Sequence, residues 1–142
     1  MSKYLASFTP YDVKQSLVRV TGYDNKRISG YIENPYFEKP RYFDNLTQFF
    51  LIMENLCDEI SYPQRTNESR ALVPGLGGLP DFKPQNGEKG ERAIASFRLN
   101  ILFRQNSSWQ GSVLWLEKQA DAQFRSALEL VLLLDGVLSS LA

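Results

Sequence analysis

Histidine is absent from the 142 residues, which removes the commonest general base and the commonest metal ligand at once. The single cysteine, Cys57, falls among apolar residues with no histidine to take its proton, a setting for a small buried hydrophobe rather than a nucleophile. One cysteine also rules out an intramolecular disulfide and a thiolate metal cluster. The "GLGG" run beginning at Gly75 lacks the Lys-Ser/Thr of a phosphate-binding loop and follows no strand into a helix, so it reads as loop. Glu54 and Asp135 occupy matching positions in the two halves of the chain and could form an acid–base pair if their helices met. Solvated helix faces explain them more simply. The expectation is a protein without catalytic residues, metal or cofactor.

Binding chemistry is better supplied. Arg19, Arg98 and Arg104 fall on the polar parity of two strand-like segments, near Lys26 and Arg27 in a turn. A sheet face carrying arginine beside aromatics can hold single-stranded nucleic acid by stacking and phosphate contact. Trp109 and Trp115 share the parity of Val113, so they either pack in the core or shape a partner pocket at a sheet edge, where tryptophan concentrates binding energy. These five residues are the candidate partner-binding set. "NSSWQG", at Asn106, Ser108 and Gly111, resembles the N-x-S-x-x-G half of the cyclic di-GMP signature of PilZ domains. The R-x-x-x-R half has no counterpart, because Arg65 to Arg70 and Arg92 to Arg98 have the wrong spacing.

The elements that must position these residues follow from periodicity. "SLVRVTGY" alternates Val18 and Val20 against Arg19 and Thr21, "YDNK" turns the chain, and "RISGYIE" resumes strand-like residues. From Asp44, Leu46, Phe50, Met53, Cys57 and Ile60 make one helical stripe, capped by Asp44 or Asn45 and ended by Ser61, Tyr62 and Pro63. The order then repeats. "SFRLNILFRQ" alternates Phe97, Leu99, Ile101 and Phe103 against Arg98, Asn100 and Arg104, "NSS" turns into "WQGSVLWLE", and a helix runs from Phe124 to Leu141. An offset of 81 positions sets Gly111 on Gly30, Phe124 on Phe43, Asn106 on Asn25 and Asp135 on Glu54 without a gap. The reading is an α+β chain of tandem, pseudo-duplicated ββα-ββα units, with an antiparallel sheet packed on one face by two helices. Residues 16–62 are the first unit, 63–92 a long Gly/Pro-rich linker and 93–142 the second, all within one domain.

With 43% apolar and 13% aromatic residues the chain can bury a core unaided. Sixteen basic residues balance sixteen acidic ones, so the charge of a general nucleic-acid or membrane-surface binder is missing. No stretch has the length and apolarity of a membrane span, and the N-terminus lacks a secretory pattern, which points to the cytoplasm. "FRLNILFRQNSSWQGSVLWLE" and "QFRSALELVLLLDGVLSS" resemble paired motifs in small proteins of Gram-positive gut bacteria that carry no established activity. That resemblance implies a bacterial origin and no site residue. The last helix, "ALELVLLLDGVL", is apolar on nearly every side and calls for a second neighbour, either the domain's own core or another copy. The functional expectation is a non-enzymatic binding or regulatory protein that self-associates, with nucleic-acid binding through the arginine face as the alternative and a small carboxylate enzyme as a third possibility.

Overall fold

The computed structural model describes residues 11–64, 72–73, 82–87, 92–105 and 108–141. They form an α+β fold: one seven-stranded antiparallel sheet and two helices. Strand β1 spans Gln15–Asp24, β2 Arg27–Glu33 and β3 Arg41–Phe43, followed by helix α1, Leu46–Ile60. Strand β4, Gln85–Asn86, leads into β5 at Ala95–Phe103, β6 at Gln110–Trp115 and β7 at Ala120–Phe124, followed by α2, Ala127–Leu141. The sheet order is β4-β3-β2-β1-β5-β6-β7. No helix among the described residues is long and apolar enough to cross a membrane.

Several expectations change on this fold. Each half is a three-strand meander plus a helix, because β3 and β7 add a strand that a ββα reading omits. Phe124 is accordingly the last residue of β7, not the first turn of a helix, and α2 starts three residues later. The expected linker also contributes to the sheet: Gln85 and Asn86 pair with Tyr42 and Arg41, and Phe82 packs partly buried on the core. Leu72 and Val73 are exposed, while 65–71, 74–81 and 88–91 lie outside the described residues, as do Asn106 and Ser107 of the expected second turn.

The first hairpin turns at Asn25 and Lys26, both with positive φ, the backbone that lets a two-residue loop follow the strand twist. Its register is repeated in the second half at the offset of 81. Gly30 pairs with Val20 and Phe43, and Gly111 with Ile101 and Phe124. A bulge interrupts β1 between Val20 and Gly22, and another interrupts β5 between Ile101 and Phe103. A Cβ on Gly30 would lie 2.0 Å from the Arg19 carbonyl oxygen, and one on Gly111 2.0 Å from that of Asn100. The central β1–β5 ladder obeys the same relation, with Ser16 on Leu99, Val18 on Phe97, and Leu17 on Arg98 midway. The helix starts agree as well. Asn45 Oδ1 accepts from Gln48 N while Gln48 Oε1 accepts from Asp44 N, and Ser126 Oγ accepts from Glu129 N while Glu129 Oε1 accepts from Arg125 N.

One core joins sheet and helices: Val18, Val20, Ile32, Phe43, Phe97, Leu99, Ile101, Val113 and Phe124 meet Phe49, Ile52, Met53 and Leu56 of α1 and Leu130, Leu134 and Leu138 of α2. The buried stripe of α1 is rotated from the expected one, so Phe49 and Leu56 are buried whereas Leu46 and Phe50 only pack against the core. In α2, Leu134 and Leu138 are buried and Leu141 is exposed.

Candidate functional site

The two bulges decide where the candidate residues point. An extra residue in β5 reverses the alternation after Ile101, so Phe103, expected inside, is half exposed. Arg104, expected on the polar sheet face, turns under α1 with only 3% of its surface exposed. Its Nε donates to the Pro63 carbonyl at 2.6 Å, and Nη1 lies 3.2 Å from Glu54 and 2.8 Å from Asp58. Trp109 is buried beside it, against Phe49 and Phe50, and its indole N–H donates to Glu54. Trp115 packs partly buried against the same core.

The equivalent bulge in β1 turns Tyr23 towards α2. Its hydroxyl donates to Asp135, and the Lys26 ammonium lies 3.0 Å from the same carboxylate. The Tyr23 hydrogen bond, then the Lys26 contact, hold the Asp135 carboxyl below the usual carboxylate range, and Asp135 in turn raises Lys26. Glu54 and Asp135 are therefore each drawn to the other half's hairpin. Carboxylates thus anchor each helix across the midline of the sheet, Glu54 and Asp58 for α1 and Asp135 for α2, a positioning role for all three.

On the sheet face opposite the helices, Arg19 Nε donates to Glu33 at 2.8 Å and Nη1 to Ser96 Oγ at 3.0 Å. Arg98 is exposed beside a groove of about 530 Å³ lined by Gln15, Leu17, Glu33, Asn34 and Pro35. Arg19 and Arg98 thus share this face, and Arg104 does not. Among the described residues no three His, Cys, Asp or Glu side chains gather where a metal could bind.

A different surface stands out at the end of the sheet. Among the described residues β7 has β6 on one side and no strand on the other, and Ala120, Asp121 and Gln123 are exposed along it. Beside it, Gln123, Arg125, Glu129, Leu132 and Leu133 line a groove of about 500 Å³. Leu128 and Leu132, one turn apart on α2, are 66% and 60% exposed. Arg125 forms a two-pronged pair with Glu129 at the rim, and that guanidinium holds the Glu129 carboxyl below its ordinary range. The over-apolar composition of "ALELVLLLDGVL" signals this surface in the sequence, but the edge beside it does not show because "ADAQF" is poor in strand formers. No family model, no curated protein and no solved structure matches this chain.

Proposed function

We propose that this chain is a non-enzymatic binding or regulatory protein that acts by self-association, and that it descends from the tandem duplication of a βββα unit in a bacterial cytoplasmic protein. The observation that carries the functional reading is the pair of outward leucines on α2, Leu128 and Leu132, the second of which lines the groove beside β7, the last strand of the sheet among the described residues. Isolated exposed leucines are ordinary, but two on one helical face near a strand edge that no described residue pairs with make a surface that another protein covers favourably. The tryptophan-bearing hairpin cannot serve through Trp109, which is enclosed under α1. The duplication reading rests on coincidences of register, bulge, close-approach glycine and helix cap, each at the same offset. A reducing compartment suits the buried thiol of Cys57, the single cysteine of the sequence.

Light scattering across a concentration series tests the functional reading. The chain mass is 16.3 kDa, and the expected result is a species of twice that mass which Leu132→Glu shifts towards the single chain. A single-chain mass at every concentration would refute self-association. Excess absorbance at the nucleic-acid maximum in the same runs would turn attention to Arg19 and Arg98.

A further inference from the structure

We propose that self-association runs through β7: two copies join edge to edge in antiparallel fashion about a twofold axis at Ala122, extending the sheet across the dimer while their α2 helices cover each other's leucines. This rests on the self-association reading above and specifies its site.

The two ends of the sheet are finished differently. At one end the chain covers its own edge: β4 lies on β3, Phe82 packs on the core, and Lys83 and Pro84 precede the two paired residues. A short, proline- and lysine-guarded terminal strand is a standard defence against edge pairing. At the other end β7 is five residues long, contains neither lysine nor proline, and carries only Asp121 as a charge. Among the described residues no strand pairs with its outer edge, whose N–H and C=O groups are a template for one.

The residues of β7 suit a copy of themselves. A twofold at Ala122 sets Asp121 opposite Gln123 and Ala120 opposite Phe124, so no two like charges face each other directly and small residues occupy the centre. The same axis brings α2 towards its copy, and Leu128 and Leu132 on one helix then have an apolar face of equal length to cover. A lone extended peptide would satisfy the edge but leave that face bare. At the rim, each copy contributes Arg125 and Glu129, one charge of either sign, so partners can exchange across the axis.

The test uses Ala122→Cys in the full chain, whose one native cysteine is buried. Directly opposed residues in an antiparallel pair have Cα atoms about 4.5–5.5 Å apart, within disulfide reach. Mild oxidation is expected to convert the variant to a covalent dimer, whereas Ser140→Cys, exposed near the end of α2, stays single. Gln123→Pro is expected to reduce the wild-type double mass to the single chain. As a check needing no variant, amide exchange over 120–124 is expected to slow about tenfold or more between dilute and concentrated wild-type protein. A double mass with neither a disulfide-linked Ala122→Cys dimer nor concentration-dependent protection of β7 overturns this site and leaves self-association standing. A single mass at all concentrations overturns both.

Discussion

Alanine at Gly30 or Gly111 tests the repeated geometry most directly. In each case the new methyl would sit 2.0 Å from a backbone carbonyl oxygen and about 3 Å from a backbone Cα of the neighbouring strand. An ordinary carbon–oxygen contact is about 3.3 Å, so the strands must part by roughly 1.3 Å. Neither neighbour is a side chain that can rotate away. That displacement stretches the flanking ladder hydrogen bonds, worth about 1 kcal/mol each, and adds overpacking of about 1–3 kcal/mol around Val20 or Ile101, both buried. The expected loss is about 3 kcal/mol for either variant, a large share of the roughly 5–15 kcal/mol that holds a domain folded. Urea unfolding followed by tryptophan fluorescence should show the midpoint falling by about 1.5 M with little change in slope, taking a slope near 2 kcal/mol/M. Gly136 supplies the contrast: nothing lies within 4 Å of its Cβ position inside α2, so alanine there should stabilise by about 0.5–1 kcal/mol through helix propensity. A loss below about 1 kcal/mol at Gly30 or Gly111 would refute the close-approach reasoning, because overpacking a backbone contact of this kind cannot be that cheap.

Two further outcomes concern the cross-sheet anchors. Arg104→Met should cost about 2–3 kcal/mol, somewhat less than a fully buried pair because Glu54 and Asp58 keep 19% and 45% of their side-chain surface in solvent. In a double-mutant cycle Arg104→Met and Glu54→Gln should be non-additive, and additivity would show that the guanidinium packs without pairing. Asp135 is held below its ordinary value of 3.8, so its contribution is present above that pH and is lost as pH falls through the lower folded value. Asp135→Asn should therefore be less stable than the parent near neutrality, with the gap closing below about pH 4, as read by urea unfolding at two pH values. An equal gap at both would show that the carboxylate charge is not what anchors α2.

Much of the fold is legible in the sequence because much of it is local. Alternation marks β1 and β5, Asn25 marks a turn that needs positive φ, Asp44 or Asn45 marks a helix start that the fold caps with Asn45, and the offset of 81 is readable from Gly30, Gly111, Phe43 and Phe124. The third strands escape because they carry little signal: Arg41–Phe43 is three residues, and Ala120–Phe124 begins with residues that disfavour strands in isolation. β4 is shorter still and exists only because β3 offers it an edge.

The candidate site is less legible in the sequence, for a related reason. Arg19, Arg98 and Arg104 look equivalent by parity, yet one inserted residue reverses parity, and a bulge is a property of two paired strands rather than of either alone. Glu54 and Asp135 look like a potential pair by position, yet each meets the other half's hairpin because β1 and β5 are neighbours in the sheet. Residue order alone settles the succession of elements, the turn and cap residues, and the excess of apolar surface on the last helix, all of which depend on neighbours a few positions away. Which edge is guarded, which arginine is buried and which leucines face outward are settled only in the folded chain, because those follow from strand pairing between residues as far apart as Arg19 and Ser96.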